Sequence, residues 1–203
     1  MRVCVCLSAT TADNLYVYSL LPGRCACLKH PEVALKALQN RPKYGMDVPS
    51  LASARRLLHA LSLPRTGEDD GSQRLIDCLG FSELYPTYNL PPASSDIVSC
   101  AILASVIARQ VQKEQNGGQK ESRSDEAVIL DGFGEILTEF EKAVKGWGDV
   151  VGHTNPKAVQ WLRGSIREIR LTMQRNEGRT RSWLTQFRRE IRLSPPNRNA
   201  IVS

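Results

Sequence analysis

No stretch of this 203-residue chain approaches the about 18 to 20 uncharged apolar residues that a membrane-spanning helix needs. A span is therefore not expected. Export is not expected either, because a secretory signal carries an apolar stretch of about 7 to 15 residues and here Val3-Cys4-Val5-Cys6-Leu7 stops at Ser8. No Asn-x-Ser/Thr acceptor occurs, and six cysteines in 203 residues lack the density of a disulfide-stapled secreted scaffold. These absences predict an intracellular protein, cytoplasmic or nuclear, with free thiols.

Signatures of catalysis are equally scarce. There is no Gly-x-Ser-x-Gly elbow, no His-Glu-x-x-His and no Cys-Gly-Ser-Cys context for a nucleophile. Gly132-Phe133-Gly134 lacks the third glycine of a dinucleotide loop, and Gly148 to Thr154 ends in Gly-His-Thr where a phosphate loop needs Gly-Lys-Ser/Thr. Of the three histidines, His59 reads as a helix-surface residue beside Leu57 and Leu58, and His153 as part of the loop before Asn155. Neither has a catalytic partner nearby in sequence, so the expectation is a protein that is not an enzyme.

The cysteines fall in two Cys-x-Cys pairs. On a strand, residues i and i+2 share a face, so Cys4 with Cys6 and Cys25 with Cys27 would each present two thiols on one side. With His30 three residues on, the five could approximate a zinc set if the strands carrying them lay side by side. The spacing is not the Cys-x2-Cys of a zinc knuckle, however, and small buried cysteine is an ordinary core residue. Packing is therefore expected for all six, Cys78 and Cys100 on apolar helical stretches included, with no metal or other cofactor.

What the chain does have is hydrophobic periodicity. Arg2 to Ser8, Asn14 to Leu21 and Arg24 to Lys29 are rich in Val, Tyr, Leu and Cys and are punctuated by Pro22-Gly23, which predicts a small antiparallel meander. Thereafter the period is helical. Pro31 opens a segment that Pro42 ends, and Ser50 caps a helix with Leu51, Ala54, Leu57, Leu58 and Leu61 on one face. A short helix is expected over Gln73 to Leu79, followed by an extended stretch from Tyr85-Pro86 to Pro91-Pro92. Ser94 or Ser95 then opens Ile97 to Val111, apolar on most of its circumference and so destined for the middle of a core.

Gln115 to Ser124 reads as a polar linker. Ile129, Phe133, Ile136, Leu137, Phe140, Val144 and Trp147 trace the face of a further helix, although Gly132 and Gly134 weaken it. Asn155-Pro156 is an N-cap followed by an N1 proline, and it starts a helix with Val159, Leu162, Ile166, Ile169 and Met173 in a narrow arc. Gly178 interrupts it before a second apolar face of Trp183, Leu184, Phe187 and Ile191. The predicted class is thus α+β and predominantly helical: a small N-terminal β meander followed by a bundle of about five or six helices. Residues 1–114 hold meander and core, 115–125 the linker, 126–194 an acidic helix and a basic helical hairpin packed with that core, and 195–203 a tail.

Charge is distributed unevenly. The net charge is +6, and 19 of the 27 cations are arginine. Residues 157–198 hold Lys157 and ten arginines against Glu168, Glu177 and Glu190, a net +8, whereas residues 121–150 carry eight acids against Arg123, Lys142 and Lys145, a net −5. At 100° per residue Arg163, Arg167 and Arg170 lie together beside the apolar arc of their helix. With Arg175, Arg179, Arg181, Arg188, Arg189 and Arg192 they form the candidate anion-binding set. Arginine favours bidentate contacts to phosphate or carboxylate, so nucleic acid, RNA or DNA, is the first expected partner and an acidic protein the second.

Two other readings stay open. The acidic helix could neutralise the arginines, leaving two solvated surfaces. Alternatively the chain is a helical protein-interaction module, of the kind found among host or viral accessory proteins, in which the apolar face at Trp147 or that of Trp183, Phe187 and Ile191 docks a partner helix and the arginines steer association; homo-oligomer formation stays open as well.

Overall fold

The computed structural model describes residues 30–64, 71–116, 123–146, 155–178 and 180–193. Among them every regular element is helical and no strand occurs. The expected α+β class therefore gives way to an all-helical one; the three segments assigned to the meander lie outside the described residues. Eight α-helices follow in order: α1 (Pro31–Gln39), α2 (Arg41–Tyr44), α3 (Leu51–Ser62), α4 (Gly71–Glu83), α5 (Ile97–Asn116), α6 (Arg123–Lys145), α7 (Pro156–Asn176) and α8 (Ser182–Leu193). Eight among the described residues exceeds the five or six expected, and one of the additions is the one-turn α2, which carries Pro42 in its first turn where the sequence implied only an end to the first segment.

Helix α5 is the axis of the bundle. It packs against α3 and α4 on one side and α6 and α7 on the other, and every residue from Ile97 to Ala108 is buried. Ala101, Ala104 and Ala108 keep its profile narrow enough for close neighbours. A helix start buried this deeply must satisfy its free amides. Asp96 rather than Ser94 or Ser95 meets one of them: its carboxylate accepts the Ser99 N–H at 3.0 Å, and also the Ser99 hydroxyl at 2.6 Å. Because the Ser99 proton goes to Asp96, the Tyr85 hydroxyl, 3.0 Å away, donates in turn to the Ser99 oxygen. Arg55 of α3 closes the network with both Nε (3.0 Å) and Nη2 on the Asp96 carboxylate. Ser95 instead bonds back to the Pro92 carbonyl.

The stretch after α4 is not extended. Pro86–Tyr88 forms a 3-10 turn ended by Asn89 at φ 56°, and the Tyr88 hydroxyl donates to the Leu38 carbonyl of α1 at 2.8 Å. The expected linker is also helical at both ends, since α5 continues to Asn116 and α6 starts at Arg123. Polar, helix-favouring residues carry α5 beyond the core, and Gln112 and Gln115 donate to Thr172 and Asn176 of α7.

Helix α7 begins as its sequence implies, with Asn155 Oδ1 accepting the Lys157 N–H at 2.9 Å. Its buried arc of Leu162, Ile166, Ile169 and Met173 faces α5 and α8. Gly178, at φ 67°, supplies the left-handed residue that turns the chain toward α8. Leu184, Phe187 and Ile191 of α8 are then buried in the same apolar cluster. Phe140 of α6 meets the Trp183 and Phe187 rings edge-on, at 5.5 and 5.9 Å between centroids.

Two outcomes check this account. Arg55→Ala, which strands a buried carboxylate, should cost about 3 kcal/mol or more in urea unfolding, and the loss in Arg55→Ala/Asp96→Ala should be smaller than the sum of the single losses. Within α6, a Cβ at Gly132 or Gly134 would meet nothing within 4 Å beyond the adjoining backbone of its own helix, so each Gly→Ala change should stabilise the protein by about 1 kcal/mol, read as a higher Tm.

Candidate anion-binding groove and an adjoining cleft

Packing α8 beside α7 leaves a groove of about 350 Å³ lined by Arg163, Ile166, Arg167, Arg170, Arg188 and Ile191. Two isoleucines thus form an apolar floor beneath four guanidinium side chains drawn from both helices. The i, i+4, i+7 spacing of Arg163, Arg167 and Arg170 sets three of them along one flank of α7. Arg163 spans the groove, its Nη2 donating to the Ile191 carbonyl at 2.8 Å in the last turn of α8, where carbonyls lack intrahelical partners. Arg170 is half-buried, and its Nε is enclosed without an acceptor among the described residues. Arg167 is exposed. Neither Arg167 nor Arg170 forms an ion pair among the described residues.

The remaining arginines scatter. Arg175 and Arg189 are exposed away from the groove, Arg181 pairs with Glu177 at 3.4 Å, and Arg179 and the Arg192 side chain lie outside the described residues. The nine sequence candidates are therefore one group of four and several separate surface charges. Neutralisation by the acidic helix is not seen among the described residues: Glu139 and Glu141 of α6 pair with Lys142 and Lys145 of the same helix, at 2.6 and 2.9 Å.

The expected docking face needs correction. Phe187 and Ile191 are 1% and 2% exposed and Trp183 packs on Phe140, so this face is occupied by α6 and α7 of the same chain. Amphipathic spacing identified the apolar side but not what covers it. Cys4, Cys6, Cys25, Cys27 and Trp147 lie outside the described residues, and His30 is exposed with Nδ1 3.0 Å from a Glu32 oxygen. Cys78 and Cys100 are buried. Burial pushes the Cys100 thiol up to about 12, which leaves it protonated and unreactive.

No protein-family model, curated protein or solved structure matches the chain.

A second constellation escaped the sequence reading altogether. On the opposite flank of α7, Trp161 stacks on His59 of α3, with ring centroids 4.6 Å apart and planes 19° from parallel. They border a cleft of about 350 Å³ that also takes in Ser105 and Arg109 of α5 and Gln160, Ser165 and Glu168 of α7. His59 is thus not a plain surface residue. Burial, aided by the Arg109 guanidinium, pulls its imidazole from 6.5 down to about 4. The only advance signal was that Trp161, Ser165 and Glu168 share the flank of α7 that faces away from the arginines.

The lowered His59 value gives stability a pH dependence. Between pH 6.5 and 4 the unfolded chain binds a proton at His59 that the folded chain refuses, so this contribution is complete above pH 6.5 and lost as pH falls toward 4. Of the charged groups that line the same cleft, Arg109 from α5 opposes that proton, and Glu168 from α7 carries the opposite charge. The Tm of His59→Gln should therefore fall less across this range than that of the unaltered protein.

Proposed function

We propose that this chain is a non-enzymatic nucleic-acid-binding protein that takes the phosphate backbone of RNA or DNA into the α7–α8 groove. The observation that carries the reading is the gathering of four arginines from two helices, with Arg167 and Arg170 not matched to any carboxylate among the described residues. Guanidinium forks suit phosphate oxygens, and the net +8 of residues 157–198 would favour encounter of this part of the chain with a polyanion. Contacts of this kind position a strand without reading its sequence. Among the described residues no helix is long and apolar enough to cross a membrane.

Affinity should accordingly fall steeply with salt. In fluorescence anisotropy with a labelled oligonucleotide, Arg167→Gln/Arg170→Gln should flatten the log–log salt slope by about 0.7 per lost phosphate contact on single strands and about 0.9 on duplex DNA. The loss should be similar for unrelated sequences. Binding that is insensitive to salt, or a slope unchanged in the double variant, would sink the proposal.

A further inference from the structure

The cleft between α3, α5 and α7 holds a set of polar groups whose hydrogen-bonding capacity is only partly used among the described residues. Arg109 reaches into it from the buried axis helix, using Nε on the Ser105 carbonyl at 3.2 Å and Nη2 only weakly, at 3.5 Å, on the Ser105 hydroxyl. Burial lowers its pKa, nearby Arg74 lowers it further, and Glu168 counters both. Yet Arg109 and Glu168, which line the same cleft, do not form an ion pair with each other among the described residues. Opposite charges in a half-buried setting attract strongly, and holding them apart leaves a donor fork and an acceptor pair facing one space. The Ser165 hydroxyl and the Gln160 amide in the same lining likewise make no hydrogen bond among the described residues.

Beside these groups stands the His59–Trp161 stack. With its pKa held near 4, His59 is a neutral ring at physiological pH, so the stack presents an uncharged aromatic platform. A ligand that uses both features must be flat, aromatic and polar at its edge. At about 350 Å³ the cleft lies at the small end of ligand pockets and suits one base with its sugar.

We infer that this cleft is a nucleobase site in which the ring lies against the His59–Trp161 pair and its edge meets Arg109 and Glu168. Guanine matches it best. Its O6 and N7 accept from a guanidinium, and its N1–H and exocyclic amine donate to a carboxylate. Uracil lacks the exocyclic amine and serves as the poor match. The site is separate from the arginine groove, which lies on the other flank of α7, and the inference does not depend on the phosphate-binding proposal.

Uncharged nucleosides keep the two apart, because they offer the arginine groove no phosphate. Guanosine and uridine would be titrated into the intact protein while the indole N–H resonance of Trp161, assigned with Trp161→Phe, is followed by NMR. The expected result is a saturable shift with guanosine and an affinity for uridine lower by about tenfold or more. Glu168→Gln, at a half-buried position outside the apolar core, should weaken guanosine by about tenfold, whereas Arg167→Gln/Arg170→Gln should leave it unchanged. No saturable shift with either nucleoside, equal affinity for both, or indifference to both Glu168→Gln and Arg109→Gln would overturn the inference.

Discussion

Asp96 resolves a difficulty that arises whenever a helix starts inside a core. The first amides of α5 have no intrahelical carbonyls to bond, the residues from Ile97 to Ser99 are buried, and a bare carboxylate placed there would itself be costly to bury. Pairing with Arg55 makes the carboxylate tolerable, and the carboxylate in turn makes the helix start tolerable. Tyr85 extends the network into the turn after α4 through Ser99. The position of α5 depends on this arrangement, and the positions of α3, α4, α6 and α7 depend on α5, because each packs directly against it.

Along α7 the same economy separates three environments on one helix. The apolar arc goes to α5 and α8, one flank gathers arginines over Ile166 and Ile191, and the other lays Trp161 on His59. Clustering like charges costs little where side chains reach water, and the carbonyl end of α8 offsets part of it at Arg163. Thr172 shows how a polar residue lives on the buried arc: its hydroxyl stays within reach of the Glu168 and Ala108 carbonyls while it accepts from Gln112.

Helix existence was legible wherever a strong period coincided with a cap. Ser50 accepts the Ser53 N–H as its position implies, and Asn155 does the same for α7. The buried course of α5 could be read from its nearly continuous apolar surface. What failed were inferences requiring knowledge of a neighbour. Two serines and an aspartate precede α5, and only the approach of Arg55 from α3 selects the aspartate. The docking role given to Phe187 and Ile191 failed for the same reason, since a stripe does not name its cover. His59 looked superficial beside Leu57 and Leu58 because Trp161, its stacking partner, comes from a distant part of the chain. The α+β expectation rested on residues 2–29, outside the described residues, while helical spacing governs everything described.

The bond from Arg163 to the Ile191 carbonyl has a further consequence. An arginine free in solvent samples many rotamers, and any contact that fixes it must overcome that freedom, a cost of up to about 2 kcal/mol. At the mouth of the α7–α8 groove part of this ordering is done by the fold itself, before anything arrives. The guanidinium there is a strut as well as a charge. It braces the final turn of α8 against α7, so the width of the groove and the orientation of its cation are set by one and the same contact.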